Sequence, residues 1–257
     1  MYKAFNSTML GLALSSAFSL AHAQTATPIT IVSGFNEDII ADGTTATTST
    51  TSGIDSVNVF YDNSYAASNH ISGGAFPAGQ TVTGADGNSY EFAAASANNG
   101  LLLNSSETIG TLSLSYPDGP LGTVYLIGTS ASGSTLLDYT LNFAGGASSS
   151  GSFSFADWYD STASGTVTGL GRVSNQTDSY DAAGGNNFSL YSIAISIPVS
   201  DQSLTLDNII ISYDGVNAGS SAVIVGVSGA APASVPEPGT LAFAALGLGL
   251  AAIFRRR

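Results

Sequence analysis

The sequence predicts an all-β fold: a single jelly-roll-like antiparallel β-sandwich over residues 24–228, flanked by an N-terminal signal helix and a C-terminal transmembrane helix. Three observations carry this expectation. Apolar residues alternate with polar ones at period two through most of the interior, the mark of strands with one buried face. Turn-forming Asp-Gly and Gly-Gly pairs interrupt the alternation at roughly ten-residue spacing, as in two packed antiparallel sheets. Between the two apolar ends no segment shows the helical period of about 3.6 residues.

Taken in order, strands are expected over 28–33, 54–61, 89–94 and 100–104. Leu112, Leu114 and Tyr116 then alternate with polar residues, and a strand follows over 121–128. Tyr139, Leu141 and Phe143 keep one phase, as do Phe153 and Phe155, and another strand falls over 166–173. Tyr191, Ile193, Ile195 and Ile197 share a face. The next run carries Leu204 and Leu206, then Ile209 and Ile211, so its phase changes at Asp207-Asn208, where a bulge would re-aim the strand. A last strand is expected over 220–227. Asp42-Gly43, Asp86-Gly87, Asp118-Gly119 and Asp214-Gly215 supply turns, Gly145-Gly146 a looser connection, and the Thr/Ser stretch 44–52 a surface loop. Residues 229–235 read as a stalk.

Charge narrows the function classes. Of five basic residues, Lys3 stands near the N-terminus and Arg255, Arg256 and Arg257 close the chain, leaving Arg172 as the one Lys or Arg between. Nucleic acid is excluded as a partner, because phosphate binding needs clustered cations. With no cysteine, disulfides, thiolate metal sites and cysteine nucleophiles are excluded too.

The ends are about sorting. Residues 1–23 place Lys3 before an apolar stretch and finish on Ala21-His22-Ala23, the layout of a signal peptide cut by signal peptidase after Ala23. At the other end, Pro236-Glu237-Pro238 precedes an apolar run and the three arginines. From Leu241 to Phe254 the run covers roughly 21 Å as helix, so it spans a hydrocarbon core of about 30 Å only with help from its flanks. The arginines would stay cytoplasmic, leaving the preceding domain outside the inner membrane.

This order of parts, over 236–257, resembles the PEP-CTERM sorting tail of Gram-negative exported proteins, with Pro236, Glu237 and Pro238 on its motif and Arg255, Arg256 and Arg257 on its basic end. The resemblance implies recognition by an exosortase, a membrane-embedded cysteine protease of the transpeptidase type. It further implies removal of the tail and delivery to the cell surface or its polysaccharide matrix.

Inside the domain, Ala156-Asp157-Trp158-Tyr159-Asp160, Gly169-Leu170-Gly171-Arg172-Val173 and Asn187-Phe188-Ser189-Leu190-Tyr191 loosely resemble galactose-binding-like and carbohydrate-binding-module sandwiches. That likeness would make Trp158, Tyr159, Asp160 and Asn187 a sugar site, aromatic faces stacking and polar groups hydrogen bonding. The alternative is that Trp158 fills the core. Arg172 is expected to pair with a carboxylate, Asp157 or Asp178. Glu37 and Asp38, beside Asn36, and the pairs Asp178 with Asp181 and Asp157 with Asp160 are the candidate ligands for a structural Ca²⁺, and no EF-hand loop is present. His22 and His70 make no metal site. A glycoside hydrolase needs two positioned carboxylates, and nothing in the sequence selects a pair. The expectation is therefore a non-catalytic exported surface or matrix protein with no cofactor, associated with envelope, exopolysaccharide or biofilm. The alternatives are a carbohydrate-binding module and a secreted glycosidase.

Overall fold

A computed structural model of the chain describes residues 24–116, 119–215 and 219–233. The signal peptide with Ala21 and Ala23, residue 118 of one expected turn, and the tail with Pro236, Glu237, Pro238, Arg255, Arg256 and Arg257 lie outside the described residues. So does the expected transmembrane helix. Among the described residues no helix is long and apolar enough to cross a membrane.

In chain order the elements are β1 (Thr27–Ser33), β2 (Ile40–Ala41), α1 (Ala46–Ser49), β3 (Asn58–Tyr61), α2 (Asn63–Ser68), β4 (Thr81–Thr83), β5 (Ser89–Glu91) and β6 (Leu101–Leu103). They continue with β7 (Ile109–Ser115), β8 (Thr123–Ala131), β9 (Thr135–Phe143), β10 (Ser148–Phe155), β11 (Val167–Leu170), β12 (Arg172–Ser174), β13 (Phe188–Ser196), β14 (Leu206–Tyr213) and β15 (Ser221–Ala230). The main path of hydrogen-bonded strands runs β10-β9-β14-β7-β1-β15-β8-β13-β11, with β6 also on β15. Every pairing along it is antiparallel.

β1 makes this path a sandwich. Thr27, Pro28 and Ile29 pair with β15, whereas Thr30, Ile31 and Ser33 pair with β7, so the strand leaves one sheet and enters the other. Sheet A is β15, β8, β13 and β11 with β6; sheet B is β7, β14, β9 and β10. Leu112, Leu141, Ile209 and Ile211 of sheet B pack in one buried cluster with Leu126, Ile195, Ala222 and Ile224 of sheet A. All-β architecture and a two-sheet core therefore follow the expectation.

The bulge expected at Asp207-Asn208 is present. Leu206 pairs with Phe143 and Asn208 with Asn142, so Asp207 is the extra residue and the strand changes phase there. A second irregularity in β15, between Ile224 and Gly226, does the same in the central strand. Ala222, Ile224 and Val227 enter the inter-sheet core, while Val223 and Val225 face the other way.

That other face is also buried. Leu102, Ile127, Leu190, Val223 and Val225 on the back of sheet A pack against Ile39, Phe60, Phe76, Tyr90, Phe92, Trp158 and Phe188. The covering layer comes mainly from residues 34–100 together with the segment between β10 and β13. It holds a small sheet in the order β12-β3-β2, the β4–β5 hairpin and the two short helices. Polar side chains on β15 fasten it: Ser221 Oγ donates to the Ile54 carbonyl and Ser228 Oγ to the Ser89 carbonyl. Every residue of β15 is buried, as expected of a strand covered on both faces.

Four sequence expectations are corrected. α1 occupies part of the expected Thr/Ser loop, and α2 is capped by the Asp62 carboxylate accepting from the Tyr65 N–H. Helices this short display no apolar period. The strand expected over 54–61 begins only at Asn58, because Asp55 builds a turn, accepting from the backbone N–H groups of Val57 and Asn58. The strand expected over 166–173 splits into β11 and β12, which serve different sheets. The stalk does not begin at Gly229: Gly229 and Ala230 belong to β15, and the Gly122 N–H donates to the Ala230 carbonyl. Residues Gln24–Pro232 form one compact unit that contains all of these strand pairings and clusters.

Candidate functional site

The site is centred on Arg172, the first residue of β12. Its Nε donates to Asp181 Oδ2 at 2.9 Å, and one Nη donates to Asp55 Oδ2 at 3.2 Å. The guanidinium sits over two adjoining rings, its carbon 5.1 Å from the Trp158 centroid and 4.6 Å from that of Phe188. The Trp158 and Phe188 centroids are 5.3 Å apart, and Phe60 closes the back of Trp158 edge-on at 5.4 Å.

Backbone geometry fixes each wall. The Trp158 N–H donates to the Ser130 carbonyl of β8, and its own carbonyl accepts from the Ser189 N–H of β13. The indole is thereby held at the end of sheet A. Asp55 is held by the turn before β3, where its carboxylate also accepts from Asn58 Nδ2 at 2.8 Å. Asp181 Oδ1 accepts from the Gly184 N–H at 2.9 Å. That backbone bond, outweighing burial and helped by Arg172, holds the Asp181 carboxyl below the usual carboxylate range.

Beside this cluster lies a shallow cleft of about 470 Å³, lined by Asp55, Asp157, Asp181, Trp158, Tyr159 and Arg172 together with Ser132, Ala183 and Gly184. Its carboxylates are committed. Asp157 accepts from the Gly133 N–H at 2.7 Å and from the Tyr159 N–H at 2.9 Å, which pins the β8–β9 turn to the segment after β10.

The expected Arg172 partners are therefore corrected. Asp157 serves the backbone, and Asp178 accepts from Thr47 N–H and Oγ1, while the actual partners are Asp55 and Asp181. A guanidinium bridging two carboxylates satisfies both with one cation, which suits a domain that has only one.

The four expected sugar-site residues do not share one face. Trp158 is 2% exposed and serves as core, so it offers no face for stacking. Tyr159 is 52% exposed at the cleft, its ring 5.3 Å from Phe188. Asp160 accepts from Thr162 N–H and Oγ1 and does not line the cleft. Asn187 donates to the Gly184 carbonyl and also stands outside it. Asp55 was missed as a site residue, and Asp181, expected only as a possible Ca²⁺ ligand, was not connected to Arg172; no sequence signal links an arginine to an acid 117 positions away.

Glu37 and Asp38, the expected Ca²⁺ ligands, both make hydrogen bonds within the protein. Glu37 accepts from Thr51 Oγ1 at 2.5 Å, and Asn36 uses its amide to grip the Leu102 backbone through both N–H and carbonyl. Asp38 is 8% exposed and accepts from Asn99 Nδ2 at 2.7 Å. Burial pushes its carboxyl up from 3.8 to about 6, against the lowering effect of the Asn99 amide. Among the described residues no group of three or more His, Asp or Glu converges.

Comparison with known families places the PEP-CTERM protein-sorting motif on residues 234–257. The match begins four residues after the last strand ends at Ala230. It marks an exported protein with an exosortase as processing partner. No curated protein matches the chain.

Proposed function

We propose that the chain is a non-catalytic surface or extracellular-matrix protein, released from its membrane-anchored precursor by an exosortase and retained in envelope, exopolysaccharide or biofilm. The observation that carries this reading is the sorting motif over residues 234–257, directly after a closed sandwich. The absence of catalysis is supported by the commitment of the cleft's carboxylates. Asp55 and Asp181 neutralise Arg172, and Asp157 holds backbone N–H groups. A glycosidase acid needs a raised pKa, whereas Asp181 is held low. The strand order supports the jelly-roll form of the scaffold: β7, β8 and β9, then β13, β14 and β15, alternate between sheets, and the β9–β10 hairpin stays in one.

The test is processing in an exosortase-bearing host. Replacing Pro236, Glu237 and Pro238 by Ala should leave the precursor uncut, so intact mass would show residues 236–257 still attached. The same mature C-terminus in wild type and variant would refute the reading.

One observation favours a second reading, a carbohydrate-binding module. Tyr159 presents an exposed ring at the cleft, backed by Phe188 and flanked by Asp157. Aromatic faces of this kind stack on sugar rings. A glycan array run with and without Ca²⁺ should show binding that Tyr159→Ala abolishes; no glycan bound, or equal binding by the variant, removes it.

A further inference from the structure

The two sheets end differently. On sheet A the terminal strand β11 is four residues long, its pairing with β13 breaks between Val167 and Leu170, and Gly169 there has φ +79°. A short, bulged edge is a poor template for another strand. On sheet B the terminal strand β10 pairs with β9 at every position from Ser148↔Asn142 to Phe155↔Thr135 without a break. Its sequence, Ser-Ser-Ser-Gly-Ser-Phe-Ser-Phe, contains no charge and no proline. Natural edges are protected by charges, prolines, bulges or brevity, and β10 has none of these devices. Ser130 Oγ covers the Phe155 carbonyl, but among the described residues Ser148–Ser154 have no strand partner other than β9.

We propose that β10 is a self-association edge, at which a second copy of this chain adds its own β10 antiparallel and joins the two B sheets across a two-fold axis. The edge is self-complementary. Pairing centred on Gly151 sets Ser150 opposite Ser152 and Ser148 opposite Ser154 of the second copy, all on the exposed face. On the inner face it sets Phe153 opposite Ser149, so apolar residues keep facing inward. At Gly151 the Tyr139 hydroxyl occupies the space of a side chain, 2.6 Å from where a Cβ would stand. The edge there is thus narrow, and the aromatic ring shields the inner face.

A second copy is the fitting occupant because the contact is isologous and uses one edge per molecule, so it closes at two. Like charge does not forbid it. The nearest acid on this face, Asp138, lies one strand in from the edge, opposite Ser152. Two such residues would be about 14 Å apart across three strand spacings, beyond a Debye length of about 8 Å at physiological ionic strength.

The test is sedimentation equilibrium of residues 24–232, which contain every pairing and cluster described above. The wild-type segment should show a monomer–dimer equilibrium that tightens with salt. Ser150→Lys/Ser152→Lys should weaken dimerisation by at least about tenfold. Thr111→Lys/Ser115→Lys, on the exposed face of the interior strand β7, should leave it unchanged or tighter. The pair of variants separates the edge from simple electrostatics: both reduce the negative charge, and electrostatics alone would tighten both. Hydrogen exchange at Ser148–Ser154 should slow as concentration rises. A wild type that stays monomeric at high concentration, a dimer weakened equally by both variants or by neither, or growth past two copies would overturn the proposal.

Discussion

Sheets A and B share a core but not a solvent relationship. Sheet A is covered on both sides, and its central strand β15 has no exposed residue. Sheet B has one covered side; its other face carries Ser148, Ser150 and Ser152 of β10, Asp138 and Thr140 of β9, Ile210 of β14 and Thr111 of β7. The difference shows where this domain puts its stability and where it leaves surface available. The covering layer on sheet A brings the large aromatics, the arginine stack and the cleft. The outer face of sheet B is a largely solvated surface on which polar residues mix with the exposed Ile109 and Leu136.

The sharpest way to break this comparison is to remove equivalent side chains from the two outer faces. Ile127→Ala, on the back of sheet A, should cost about 2–5 kcal/mol, because Ile127 is fully buried between β15 and the covering layer. Ile210→Ala, on the outside of sheet B, should cost less than about 1 kcal/mol, since the side chain is partly in water already. Chemical denaturation of both variants reads the contrast. Equal costs would mean that the third layer contributes nothing as packing.

The next largest effect concerns the Arg172 stack. Arg172→Ala should destabilise by about 2–3 kcal/mol, a figure reduced from the fully buried case because the three side chains remain 16–23% exposed. It takes the cation away from Asp55 and Asp181 and from the faces of Trp158 and Phe188. Arg172→Lys should recover only part of the loss, since an ammonium cannot bridge both carboxylates in the plane of two rings. Denaturation midpoints that do not move would show that the stack is incidental.

The smallest expected effect sharpens the contrast through pH. The Asp38 carboxyl is buried within the covering layer with a folded value near 6, above its unfolded value of 3.8. As pH rises between these two values the unfolded chain releases its proton first, so this group costs stability progressively and the cost is complete above about pH 6. The gap between the two values corresponds to about 3 kcal/mol, which solvent screening reduces to about 2 kcal/mol. Asp38→Asn keeps an acceptor for Asn99 Nδ2 and should flatten that part of the profile. Asp181 acts in the opposite sense: its lowered value stabilises the fold above the usual carboxylate range and is lost as pH falls through its folded value. An unchanged slope between pH 4 and 6 in Asp38→Asn would remove the argument.

What was legible in the sequence follows the same division. The strands of the sandwich announce themselves through alternation, down to the phase change at Asp207, because one face in water and one in the core forces period two. The covering layer was legible only in part. β3 and β5 fall within the strands expected over 54–61 and 89–94, but β2 and β4 run two and three residues and the helices four and six, too short for any period to register. The site suffered for the same reason: Arg172 was identifiable as the domain's single cation, but Asp55 and Asp181 reach it only through that layer. Trp158 fits both readings in sequence and becomes core only once Phe60 and Phe188 are seen against it.

The central claim is that a self-contained sandwich is exported and then parted from the sorting motif over residues 234–257. Intact mass of the protein recovered from the outside of an exosortase-bearing cell tests it most directly. The account predicts a chain that begins at Gln24 and lacks the apolar run and the three terminal arginines. A recovered chain that still carries Arg255, Arg256 and Arg257 would contradict it.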